Sequence, residues 1–348
     1  MKRIIIAGCS LFFITATALT ACKPDPSLGP DHSGDIGFEV PKGWPAPVYN
    51  FQGNTLTKEG FELGKKIFFD QRLSRDNSTA CGSCHQPFAA FAHLDHDLSH
   101  GINNQLGNRN SPPIFNMNWH TSFFWDGGVN HLEVQPIGPI QNPVEMGEQL
   151  EHVVAKLAAD AEYKTMFKAA FGDETINSQR MLKALAQFMG SMVSSNSKFD
   201  KYRRGEAGGA MNESELNGLA VYQDKCAGCH KEPLFSDFEF RNNGLEPNAL
   251  NDSGRARITH LPGDMRKFKT PSLRNLKYTP PYMHDGRFTT LEQVLDHYAS
   301  GVKQSPTLDP MLQNGIQLTT QQRTDLLAFL NTLNDEEFVK DKRFQELK

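Results

Sequence analysis

Cys81-Gly82-Ser83-Cys84-His85 recurs as Cys226-Ala227-Gly228-Cys229-His230, and these two stretches decide how the chain is read. Each is a CxxCH motif, the attachment signature of a c-type haem. The two thiols bond to the vinyl groups of the ring, and the adjacent histidine ligates the iron. A zinc finger would want a second ligand pair at a distance, not a histidine directly after the second cysteine. Four of the six cysteines lie in these motifs, and the other two, Cys9 and Cys22, lie near the start. No disulfide framework is left, so packing and cofactors must hold the fold.

The start of the chain reads as a processing segment. Lys2 and Arg3 precede an apolar run from Ile4 to Ala21 that ends in small residues. Leu19-Thr20-Ala21-Cys22 resembles a bacterial lipobox, which implies a lipoprotein signal peptide over 1–22 with Cys22 as the lipidated residue. The expectation is an exported, periplasm-facing protein anchored by lipid, and the alternative is a soluble periplasmic one. Residues 23–47 are rich in Pro, Gly and Asp and read as a tether. A net charge of −4 supplies no basic footprint, so nucleic acid is excluded as a partner. No later stretch is long and apolar enough to span a bilayer.

The motifs divide the body into similar halves, 48–205 and 206–348, with a boundary at the Gly-rich Arg203–Gly209. Helical periodicity dominates both. Thr57–Asp70, Leu150–Phe171, Ser178–Ser194 and a last helix at Thr320–Leu333 carry it. Asn212 with Glu215 and Thr289 with Glu292 read as capping boxes, the second opening a helix to about Ser300. Leu291, Val294, Leu295 and Tyr298 share one face of that helix, with His297 off it. No stretch alternates as a strand. The expected fold is mainly α, with two cytochrome-c-like domains that each bind one haem c.

Further motifs accompany CxxCH in order. They are Leu73-Ser-Arg-Asp-Asn77, Gly107-Asn-Arg-Asn-Ser-Pro112, Phe124-Trp-Asp-Gly127, Asn142-Pro-Val-Glu-Met146, Lys269-Thr-Pro-Ser-Leu-Arg-Asn275 and Pro281-Tyr-Met-His-Asp-Gly286. With them the chain resembles the dihaem cytochrome c peroxidase and MauG family over about residues 55–335. The resemblance implies that His85 is the proximal ligand of a peroxidatic first haem. It implies Glu145 as the distal acid/base, with Gln135 beside it, where alone Glu145 would read as a surface carboxylate. It implies Trp125 as the bridge between haems. It also implies a Ca2+ ion held by the Asn110 side chain and the carbonyls of Thr279 and Pro281.

Two positions separate the branches of the family. Many members carry a distal histidine before Arg-Asn-Ser-Pro. Here the ungapped position is Ile102, with His93, His96 and His100 upstream, so the first haem is read as five-coordinate, or bound by one of these histidines. At the second haem, held by His230, the family's other axial ligand falls on Tyr298, where ordinary peroxidases carry Met and MauG-like proteins carry Tyr. A packed core tyrosine is the bland alternative, and Met283 and Met311 are weaker ligand candidates. Thioether favours ferrous iron, whereas phenolate favours higher oxidation states. The resemblance leaves three functions open. One is peroxidase, fed by a small redox protein such as a cytochrome c or cupredoxin. The others are MauG-like oxidation of a partner protein, and a closed dihaem electron carrier. A homodimer is common in the family.

Overall fold

A computed structural model describes residues 36–346. The expectations for the signal segment, for Cys22 and for residues 23–35 lie outside the described residues. Helices α1 (Lys58–Phe68), α2 (Cys81–Cys84), α3 (Ile137–Gln141), α4 (Leu150–Ala158), α5 (Ala161–Phe171) and α6 (Ser178–Gly190) build the first half. Helices α7 (Lys198–Arg204), α8 (Glu213–Lys225), α9 (Ala256–Thr259), α10 (Leu291–Asp296), α11 (Thr320–Asn331) and α12 (Glu336–Lys340) follow. The strands of the described residues are the two-residue antiparallel pair β1 (Phe240–Arg241) and β2 (Phe268–Lys269). None of the described helices is long and apolar enough to cross a membrane.

Each half packs a leading helix against a later one at a glycine. A Cβ on Gly64 of α1 would collide with the Ala184 carbonyl of α6, and one on Gly218 of α8 with the Asp325 carbonyl of α11. Only glycine lets the helix axes approach so closely. Two apolar cores result. The first gathers Phe61, Leu63, Ile67 and Phe68 of α1 with Leu185 and Phe188 of α6. The second gathers Leu219 and Tyr222 of α8 with Leu326 and Phe329 of α11.

The cores do not divide where the composition does. Phe199 of α7 belongs to the second core, and Phe338, Val339 and Phe344 return the chain's end to the first. Residues 36–47, expected within the tether, lie strapped to the surface. Phe38 packs at a tilt on Phe51 at 5.1 Å, Trp44 meets Trp119 edge-on at 4.9 Å, and Trp119 Nε1 donates to the Pro45 carbonyl at 2.8 Å. Four aromatic side chains pack against one another there, which composition does not reveal.

Local chemistry moves several expected boundaries. Leu150–Phe171 breaks at Ala159–Asp160 because the Asp160 side chain caps α5, accepting from Glu162 N at 2.8 Å. The capping box of α10 sits one residue on from the expected pair. Thr290 accepts from Gln293 N, and Gln293 Oε1 accepts from Thr290 N. The box of Asn212 and Glu215 forms as expected. Thr320–Leu333 is not the last helix, since Asp335 caps α12 through Phe338 N at 3.0 Å.

Two arginines tie distant segments through ion pairs. Arg274, fully buried, makes a bidentate pair with Asp200 at 2.7 and 2.8 Å and stacks its guanidinium over Trp44 at 4.7 Å. Arg109 joins Asp126 and Asp252, each at 2.6 Å, linking the first half to the second. Both arginines come from the family-like motifs.

Candidate active site

The two CxxCH motifs are held alike. After His85 a tight turn through Pro87–Ala89 ends with Ala90 and Phe91 at positive φ, which swings the Phe91 carbonyl onto His85 Nδ1 at 2.8 Å. After His230, Phe235 at positive φ brings its carbonyl within 3.2 Å of His230 Nδ1, and Pro271 O lies at 3.1 Å. A carbonyl on Nδ1 fixes the tautomer and leaves Nε2 as a lone-pair ligand. Sequence reasoning missed Phe91 and Phe235. The Pro and Phe that follow each motif were the available signal. Burial pushes the thiols of Cys81 and Cys226 up to about 12 and that of Cys84 up to about 11, so as free groups they are protonated.

His85, Cys81 and Cys84 open onto a cavity of about 510 Å3, also lined by Trp125, Gln135, Pro139, Asn142, Glu145 and Met146. Its size and mostly apolar wall suit a prosthetic group. Together with the Nδ1-anchored histidine and paired cysteines, it fits a covalently held haem. Glu145 is half-buried, and loss of solvent pushes its carboxyl above the ordinary range, while a hydrogen bond from Asn142 Nδ2 at 2.9 Å works the other way. Its loop is pinned where Ile102 N donates to the Glu145 carbonyl at 2.7 Å. Gly101 permits this approach, since a Cβ there would lie 2.4 Å from Glu145 Cα. Gln135 is buried in the same wall.

Of the three loop histidines, His100 lines the cavity. His93 and His96 stack at 4.0 Å, and His96 meets His100 edge-on at 4.7 Å. His93 Nδ1 is buried without a hydrogen-bond partner among the described residues, and desolvation, with His96, His85 and His100 nearby, pushes its pKa down to about 4.

Trp125 stands between the halves. Its Nε1 donates to the Asn110 carbonyl at 2.9 Å, its carbonyl accepts from Lys269 N at 2.7 Å, and it meets His284 edge-on at 6.5 Å. Asn110 N donates to the His284 carbonyl at 2.8 Å, and its Nδ2 is spent on the carbonyls of His96 and Asp97. Asn110 Oδ1 and the carbonyls of the buried Thr279 and Pro281 accept no hydrogen bond among the described residues. Uncommitted oxygens of this kind suit a hard cation.

Tyr298 lies in a π turn, His297–Gly301, that interrupts the helix begun by α10. His297, off the face of Leu291, Val294, Leu295 and Tyr298, is nonetheless buried, and its Nε2 sits 3.0 Å from the Asn243 carbonyl. Such π turns recur at functional sites. Burial pushes the Tyr298 hydroxyl up to about 12, the Asn243 side chain works the other way, and Cys229 and Cys226 lie close enough to add to the rise. The phenol therefore sits beside the second motif. Met311 lies against Gly228, and Met283 Sδ accepts from Asn243 Nδ2 at 3.4 Å.

The halves also repeat one another in a way the motifs alone conceal. Phe123–Val129 and Tyr282–Phe288 are the same closed turn, 159 positions apart. Each has an antiparallel bridge across its ends and positive φ at its second and fifth residues. Trp125 and His284 are equivalent by this repeat. Fourteen residues after His284 stands Tyr298, and fourteen after Trp125 stands Pro139, in the wall of the first cavity. Where one half presents a phenol, the other presents a side chain with no donor atom. The same count applied to Trp125 would have found Pro139 in the sequence.

The fold and these paired sites define a dihaem c-type cytochrome. Family models for di-haem cytochrome c peroxidase and for cytochrome c match residues 58–208 and 216–334. The chain is 35% identical to methylamine utilization protein MauG of Methylorubrum extorquens, over 96% of this chain and 95% of that one. It is 32% identical to cytochrome c551 peroxidase of Nitrosomonas europaea, over 79% and 80%. A crystal structure of a MauG-like protein associated with microbial copper homeostasis superposes with a TM-score of 0.82 at 32% identity, covering 89% of this chain and 99% of that one. The chain belongs to the dihaem cytochrome c peroxidase/MauG family of oxidoreductases, which implies two covalently bound haem c groups.

Proposed function

We propose that this protein is a dihaem peroxidase that reduces hydrogen peroxide to water with electrons from an external small redox protein. The haem supplies the iron at which peroxide is reduced, and His85 and His230 are the proximal ligands in residues 48–205 and 206–348. Pro139 carries the reading, because a donorless side chain at the position equivalent to Tyr298 leaves room for peroxide in the first cavity. Glu145 is the group that takes a proton from one peroxide oxygen and gives it to the other, which leaves as water. Two electrons and two further protons complete the reduction to two waters. Gln135 orients the peroxide beside it. Electrons enter at the C-terminal haem and pass by Trp125 to the N-terminal one. Asn110, Thr279 and Pro281 hold a Ca2+ ion between the halves. The protein works outside the cytoplasm, anchored through Cys22, and a homodimer fits the family.

A second reading has a specific observation behind it. Tyr298, beside the second motif, suits a centre that shares oxidising equivalents more than one that stores electrons. That favours oxidation of a partner protein, as the MauG relatives suggest. A closed electron carrier is opposed by Pro139 and Glu145.

The test is the EPR spectrum of the resting ferric protein, followed by peroxide turnover with a reduced donor protein. One high-spin and one low-spin signal with turnover supports the proposal. Two low-spin signals would remove the open site, and bleaching of a partner's aromatic residues without donor oxidation would favour the second reading.

A further inference from the structure

The repeat of 159 positions makes Lys269 the counterpart of Asn110, His120 that of Thr279, and Ser122 that of Pro281. On one side of the pair stand uncommitted oxygens. On the other, the chain carries its own cation. Lys269 Nζ donates to the Ser122 carbonyl at 2.5 Å and lies 3.3 Å from His120 Nδ1. Lys269 and His120 both line the first cavity. The strand that carries this lysine comes from the second half and is bound through its backbone to Trp125.

This ammonium has no acid partner among the described residues. Asp126 is within reach of its field, but Arg109 holds that carboxylate at 2.6 Å. Burial pushes the amine down to about 7. A buried amine with no counter-ion is costly unless a ligand supplies one. A haem attached through its vinyl groups still carries two carboxylate side chains. Of the cationic side chains in this wall, Arg109 is committed to Asp126 and Asp252, and Arg257 is exposed.

We propose that Lys269, held by Ser122 and His120, is a tethered cation that binds a carboxylate side chain of the first haem. The assignment rests on the cavity holding haem c and not on peroxidase activity. The lysine therefore positions the group and sets its charge. Ferric haem carries one more positive charge than ferrous haem, so removing a nearby ammonium stabilises the ferric form.

The experiment is redox potentiometry on the holoproteins of K269M and K269R, with mass spectrometry to count attached haems. A bound carboxylate restores the charge that burial alone takes from the amine, so at neutral pH the first-haem midpoint of K269M is expected to fall, with the second unchanged and K269R close to wild type. The gap is expected to narrow as pH drops and the unpaired carboxylate takes up a proton. His120 and the Arg109-bound Asp126 are the other titratable groups facing Nζ, and both are present in every variant. An unchanged first-haem midpoint in K269M bearing both haems overturns the proposal. So does a fall in K269R equal to that in K269M. Should K269M fail to mature, the resonance Raman propionate-bending band of the first haem is compared between wild type and K269R. That band is expected to move as ammonium becomes guanidinium, and an unmoved band overturns the assignment.

Discussion

Replacing Glu145 with Gln is the sharpest test of the first site. The change keeps the size of the side chain and its Oε1, which can still accept from Asn142 Nδ2, now at 2.9 Å. The backbone bond from Ile102 N to the Glu145 carbonyl, at 2.7 Å, is untouched. The fold should therefore hold, with a stability change within about 0.5 kcal/mol. Proton transfer should not. A positioned acid/base contributes roughly 10²–10⁴-fold, or about 3–5 kcal/mol of barrier at 1.36 kcal/mol per tenfold. The pH profile carries a second signature. Desolvation raises the Glu145 pKa, and its carboxylate is the form that accepts the first proton, so activity should be lost as pH falls through that raised value. The acid limb of kcat/KM therefore lies above the ordinary glutamate range, and Glu145→Gln should abolish that limb together with most of the rate. Stopped-flow mixing with peroxide and steady-state oxidation of a reduced donor measure both, with haem stoichiometry as control. Full turnover in a variant that retains two haems would refute the role.

Three further outcomes follow from the same geometry. Gly101→Ala places a Cβ 2.4 Å from Glu145 Cα and 2.2 Å from the Val144 carbonyl; it should lower Tm and cut peroxide turnover at least tenfold, and an unchanged Tm in a scanning calorimeter would show the two loops are free to part. Tyr298→Met should raise the second-haem midpoint by a sizeable part of the roughly 0.8 V that axial ligands span; spectropotentiometry giving the same midpoint would mean the phenol is packing and not a ligand. Pro139→Met should place a sulfur donor in the first cavity and convert its high-spin EPR signal to low spin with loss of peroxide turnover, and a persistent high-spin signal would break the equivalence drawn between Pro139 and Tyr298.

Much of the site could be read along the chain because its parts are local. CxxCH keeps both thiols and the histidine within five residues, and the helices before and after it follow from periodicity and capping side chains. Glu145, Gln135 and Trp125 were reached only through accompanying motifs. A lone glutamate has no local pattern that marks it as buried, and nothing near Glu145 in the chain tells of Gly101 pressed against it. His297 lies off the face of Tyr298 and is buried all the same, because a distant segment covers that side of the helix through the Asn243 carbonyl, which periodicity does not weigh. Residues 36–47 had the composition of a tether and dock through aromatic pairs that composition does not weigh.

The sequence by itself determined the covalent chemistry, two haem attachments on a mainly helical chain, because those choices are written in adjacent residues. Tertiary structure alone decided which oxygens stay uncommitted between the halves, which carboxyl loses its water, and that Lys269 of the second half reaches a cavity built mainly by the first. Those properties depend on desolvation and on distances of a few ångströms between segments more than a hundred residues apart, and no local pattern encodes them.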